Sequence, residues 1–219
     1  MKLVIQCAGK KHEDAGRLKN ASGQEVIFVA HPEKYVQSAP PSLCYRPDDD
    51  MVAGLSSWRE YLAHYNRQGS NPDGLFRAAD LYMPTVYQAM VERYGRQHVF
   101  ILSAGWGLIR SDFWTPYYDI TFSNQGKPWS KRRPRDRFDD FNQLSNGGIS
   151  PDEAIYFFGG KDYLPLYYSL TQSISARKVI YHSQGYHGQR SGYEYISYRS
   201  YTNWHYSCAQ DFMADRIPK

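Results

Sequence analysis

The sequence predicts one α/β domain spanning residues 1–219, with a mostly parallel central sheet flanked by helices and joined by long irregular loops. Three observations predict it. Short apolar runs recur along the chain at lengths that suit buried strands. Segments with helical spacing alternate with them. Several of the apolar runs stop abruptly in Gly-rich polar sequence, as strands do that deliver the chain to a loop at the edge of a parallel sheet. No Gly/Ser- or Pro-rich linker divides the chain.

The elements follow in order. Lys2 to Cys7 reads as a buried first strand entering Ala8-Gly9-Lys10-Lys11, and Glu25 to Ala30 reads as a second strand. His31 to Asp50, rich in Pro, Ser and Asp, reads as an irregular connection. Ser56 or Ser57 caps a helix through about Asn66. From Arg77 to Tyr94 the apolar residues Ala78, Leu81, Tyr82, Val86, Ala89 and Met90 keep helical spacing. Pro84 either divides this helix or begins its longer part, and Gly95 ends it. His98 to Ser103 is the clearest central strand and runs at once into Ala104-Gly105-Trp106-Gly107. Ala154 to Phe158 is another strand, followed by Gly159-Gly160-Lys161 and a helix through Leu170. Lys178 to His182 is a further strand, ending in Ser183-Gln184-Gly185.

Composition narrows the classes. Hydrophobic residues make up 42% of the 219, enough for a sizeable core, and 22% are charged. No run approaches the roughly 20 apolar residues of a membrane span, and the start of the chain lacks a secretory apolar region, so a cytoplasmic protein is expected. Cys7, Cys44 and Cys208 are scattered with no CxxC pair, which argues against a disulfide framework or a Cys-rich zinc site. The 20 tyrosines hint at a wet binding cleft, since tyrosine serves core and binding surface alike. A net charge of +4 alone does not call for a nucleic acid.

The chemistry is expected where the loops converge: Gln6 to Lys11, Ser103 to Asp119, Gly159 to Asp162 and His182 to Gly185. None is a P-loop, and Gly105-Trp106-Gly107 holds only two glycines of the dinucleotide fingerprint, so no cofactor is predicted. The histidines show no metal-ligand spacing, so no metal is predicted. Thr115 to Phe122 sets Asp119 among aromatics just past the central strand. A carboxylate there can stabilise a developing cation or orient a water, both useful in glycosidic-bond cleavage; otherwise Asp119 caps a turn or pairs with an arginine. Gly126 to Arg137 crowds Lys127, Lys131, Arg132, Arg133, Arg135 and Arg137 beside Trp129. It reads either as a phosphate-tracking strip with a base-stacking ring or as a solvated loop balanced by Asp136, Asp139 and Asp140. Thr202 to Tyr206 gathers donors and aromatics able to recognise a base or sugar, or else forms a strand with Trp204 and Tyr206 on its core face. Cys7 reads as packing rather than as a nucleophile.

Val4-Ile5-Gln6-Cys7-Ala8-Gly9-Lys10-Lys11, Phe100 to Ile109 and Pro116-Tyr117-Tyr118-Asp119 together resemble a bacterial group related to the peroxide-stress protein YaaA, similar in outline to the uracil-DNA glycosylase type of α/β fold. The resemblance covers the first strand and the middle third of the chain. It implies action on nucleic acid, in particular removal of a base, as by phage-defence glycosylases that excise glucosylated hydroxymethylcytosine. The Gly-Gln-Asp-Pro and His-Pro-Ser motifs of uracil-DNA glycosylases are absent.

The expectation that follows is an N-glycosidase acting on a modified base in DNA, with no membrane and no obligate protein partner. Asp119 serves the cationic sugar or its water, while Asn203, His205 or His182 donates to the base. Trp106 and Tyr118 stack, Gln6 and Ser103 line the substrate pocket, and Lys10 meets a phosphate or attacks as an amine. Lys131, Arg132, Arg133 and Arg135 hold the DNA backbone. The rivals are a non-catalytic nucleic-acid-binding stress protein and a hydrolase or transferase of free nucleotides.

Overall fold

A computed structural model describes residues 1–35, 43–51, 56–145, 148–199 and 201–219; part of the expected irregular connection, residues 36–42, lies outside them. The main sheet holds β1 (Lys2–Gln6), β5 (Val99–Ser103), β6 (Gly107–Arg110), β9 (Phe141–Asn142), β10 (Ala154–Phe158), β11 (Arg177–Ser183) and β12 (Glu194–Tyr198). Between β1 and β5 come β2 (Ile27–Val29), β3 (Cys44–Tyr45), α1 (Trp58–Gln68), β4 (Phe76–Arg77) and α2 (Val86–Tyr94). The short strands β7 (Trp114–Thr115) and β8 (Tyr118–Asp119) follow β6; α3 (Leu164–Thr171) follows β10 and α4 (Trp204–Met213) follows β12.

The seven strands are ordered β12-β11-β10-β1-β5-β6-β9. The five from β12 to β5 are parallel throughout, whereas β6 runs antiparallel to β5 and parallel to β9. The expected mostly parallel α/β sheet is therefore present. All five residues of β5 are buried because β1 and β6 pair on either side of it. The turn from β5 to β6 requires glycine at 107: φ is 85°, and a Cβ there would lie 2.6 Å from the carbonyl of Phe141.

Alternation along β10 sends its aromatics to both faces. Tyr156 and Phe158 meet Phe212 of α4, with ring centroids 4.8 and 5.2 Å away, while Phe157 stacks on Tyr167 of α3 at 4.3 Å. The Ser57 hydroxyl accepts from the Glu60 amide and the Glu60 carboxylate accepts from that of Ser57, a reciprocal cap that starts α1.

Three expectations are corrected. Glu25 to Ala30 contributes only Ile27–Val29, which leaves the main sheet to form a small one in the order β3-β2-β8. The helix expected from Arg77 begins at Val86, so Pro84 stands ahead of it; Phe76 and Arg77 form a strand against β7 instead. Thr202 to Tyr206 is the start of α4 and not a strand. The strands β6 and β12 were not anticipated: β6 is four residues long, and in β12 only Tyr198 is buried.

Candidate functional site

Along the sheet the parallel strands run second-first-third-fourth-fifth in chain order: from β1 the chain moves out to β5, then returns to β10 on β1's other side. Such a reversal leaves a crevice outside the carboxyl ends of the first and third strands, the place where open α/β sheets bind ligands. Gln6 ends β1 there. Its side-chain oxygen accepts from the Gly160 amide at 2.6 Å, which fixes the amide's orientation and leaves its nitrogen to donate to Nε2 of His205 at 3.2 Å. His205, 6% exposed near the start of α4, is pulled down to a pKa of about 4 by burial, so its imidazole is neutral and can accept. The Tyr87 hydroxyl donates to the Gln6 carbonyl at 2.8 Å. Gly159 permits the turn after β10, since a Cβ would meet the Phe157 ring at 2.3 Å.

Beneath this crevice lies a buried polar network. The Ser103 hydroxyl accepts from the amides of Gly105 and Trp106 at 3.2 and 3.1 Å, so its own proton goes to the Tyr118 oxygen at 2.8 Å. Tyr118 and Tyr82 share a hydrogen bond of 2.9 Å, and Cys7 Sγ lies 3.2 Å from the Tyr163 hydroxyl. Burial pushes all three phenols well above their ordinary range, so they remain protonated. Lys11 caps the network with Nζ 4.1 Å from the Tyr118 ring centre, and burial pulls its pKa down against the opposing pull of the Asp119 carboxylate.

The residues expected to act together separate into several places. Gln6 meets His205, and Ser103 meets Tyr118. Asp119 follows Tyr118 on β8, and the period of two turns it away from the Ser103 network to accept from Trp129 Nε1 at 3.1 Å. His182 pairs its Nδ1 with the Ser183 carbonyl at 3.0 Å beside Tyr186 and Tyr195. Asn203 is exposed in a left-handed conformation ahead of α4. No described contact joins Asp119, His182 and Asn203.

The basic segment divides. Lys131 donates to Asn124 at 2.5 Å, and Arg133 and Arg135 are exposed. They line a groove of about 590 Å³ with Lys161, over an apolar floor of Phe122, Pro134 and Pro165. Lys161 and Asp162 also line a neighbouring hollow of about 500 Å³ with Ser183, Gln184, Gly185, Tyr186, His187 and Trp204, at the ends of β10 and β11. A third groove, about 610 Å³, lies by Arg67, Arg77, Arg110 and Trp114; Arg110 pairs with Phe100 at the opposite end of β5 from Ser103, so this groove is far from the crevice.

Three expected roles are revised. Trp106 is 0% exposed, packed at 5.1 Å against Phe28, so it serves the core and not a stacking surface. Tyr118 is likewise fully buried, and its hydroxyl rather than its face is engaged. Arg132 also lines the groove, but it is 6% exposed and its guanidinium is already paired with Asp140. Lys10 is exposed and its neighbour Lys11 is the interior amine. Sequence reasoning singled out neither Lys11 nor Asp162. The doubled lysine after a buried strand was the available signal for the first, and the polar loop after β10 for the second.

Among the described residues no group of three or more His, Cys, Asp and Glu side chains gathers to hold a metal ion, and no helix is long and apolar enough to cross a membrane. Compared with known protein families and with curated proteins, the chain matches none.

Proposed function

We propose that the chain is an N-glycosidase that removes a modified, and in particular a glucosylated, base from DNA, and that it works in the cytoplasm against phage whose DNA carries such bases. The observation that carries this reading is the groove lined by Lys131, Arg133, Arg135 and Lys161, which shares Lys161 and Asp162 with the hollow at the carboxyl ends of β10 and β11. Four cations over an apolar floor suit a phosphate backbone with an adjoining unpaired nucleotide. The hollow beside Tyr186, His187 and Trp204 offers a flipped base aromatic and hydrogen-bonding neighbours, at a cost of a few kcal/mol for leaving the stack.

Breaking the N-glycosidic bond develops positive charge on the sugar and negative charge on the departing base. Asp162 stands where groove and hollow meet and has no ion-pair partner among the described residues, so its carboxylate is free to stabilise the sugar cation or to orient water. Asp119 is the second carboxylate of the reading, held by Trp129 and acting by its charge on Lys11. Gln6, with its amide fixed by Gly160 and His205, supplies an oriented polar edge at the crevice.

The test is incubation with unmodified, hydroxymethylated and glucosylated duplexes, scoring abasic sites. Release from a modified duplex is expected, with Asp162→Asn or Asp119→Asn slowing it on the order of 10²–10³-fold while DNA affinity and melting temperature hold. Binding without abasic sites on any duplex would leave a non-catalytic nucleic-acid-binding protein. Neither binding nor release would turn attention to free nucleotides.

A further inference from the structure

Among the described residues two lysines are buried, and they are buried differently. Lys178, 8% exposed, donates to the Ile174 carbonyl and lies over the Tyr193 ring. That is how a structural lysine meets the cost of leaving water. Lys11 is 7% exposed, yet among the described residues no acceptor stands within hydrogen-bond reach of its amine. Its nitrogen faces the rings of Tyr118 and Tyr82, at 4.1 and 5.9 Å. Those phenols are already occupied with each other and with Ser103. An amine kept this way, in the loop that leaves β1 at the binding edge of the sheet, is arranged as a nucleophile rather than as a tie. Burial lowers its pKa, which raises the share of the free amine at neutral pH.

We propose that Lys11 forms a Schiff base with the C1′ aldehyde of the abasic deoxyribose, an inference that rests on the N-glycosidase reading. The ammonium group first gives one proton to solvent water so that the nitrogen lone pair can attack. The nitrogen–C1′ bond then forms while the aldehyde oxygen takes up the electron pair of its π bond. That oxygen leaves as water with two protons that began on the ammonium group, and the third stays on the iminium nitrogen, which carries the positive charge. No oxidant, reductant or cofactor is consumed.

A duplex carrying one preformed abasic site, incubated with the protein and sodium borohydride, tests this without requiring base release. The expected result is a covalent protein–DNA adduct that peptide mapping assigns to Lys11. It should persist in Lys10→Ala and be lost in Lys11→Arg. Absence of an adduct with the wild-type protein, or its assignment to another residue, overturns the proposal whether or not a Lys11 variant folds. Base release from modified duplex without trapping removes only the Schiff base. Trapping without base release on any duplex keeps the amine chemistry and removes the glycosidase reading.

Discussion

Arg132 donates through both terminal nitrogens to the Asp140 carboxylate, at 2.9 and 2.6 Å, and again to the Ala104 carbonyl at 2.9 Å. Its guanidinium also lies 4.1 Å from the Phe138 ring centre. One buried side chain thus fastens the basic loop to the turn after β5. Removing one partner of such a pair strands the other charge, so Arg132→Ala should lower the unfolding free energy by about 3–5 kcal/mol. Urea denaturation measures it, and a loss within a few tenths of a kcal/mol would mean that the loop holds without this tie. At this scale the sequence was a partial guide. Arg132 and Arg133 stand side by side in one basic run, and nothing local says that the first turns inward to a carboxylate eight residues on. Lys10 and Lys11 divide in the same way. A step of one residue reverses a side chain's direction, and which of two like neighbours is buried is decided by the element packed against them.

The groove belongs to two elements, the loop after β8 and the turn after β10, and neither makes it alone. If Arg133, Arg135 and Lys161 meet phosphates, each replacement by Ala should reduce the salt dependence of DNA binding by about one unit of slope, almost regardless of sequence. Titrations at several salt concentrations would show it, and an unchanged slope would assign the groove to another ligand. The strands that bear the site were legible: β1, β5, β10 and β11 are apolar runs that meet Gly-rich loops, because burial on both faces leaves room for little else. The two-residue strands were not, since β7, β8 and β9 are extended mainly by their partners. The Tyr118-Asp119 pair was seen as a loop motif. Its strand character decides that the two side chains part company.

Taken whole, the molecule should respond to acid through His205. In the unfolded chain a histidine takes its proton below about pH 6.5, whereas in the native site burial delays protonation to about pH 4. Between these values the unfolded state binds more protons, so stability present above about pH 6.5 is lost as pH falls toward about 4. The full loss is about 3 kcal/mol for this group. Chemical denaturation at pH 7 and near pH 4.5 should show it, and His205→Gln should flatten the dependence over that interval. A slope equal in both proteins would remove His205 as its source.

The position of β1 has a consequence for how the chain is made. Leu3 sits between Val99 and Tyr156, so the strand that leaves the ribosome before both its neighbours is the one that both must clasp. Its edge facing β10 stays unpaired until residues 154–158 have been synthesised, and closing such distant pairings is slow. Throughout that interval the newborn chain offers chaperones, or other unfinished chains, a ready sticking point in Leu3-Val4-Ile5.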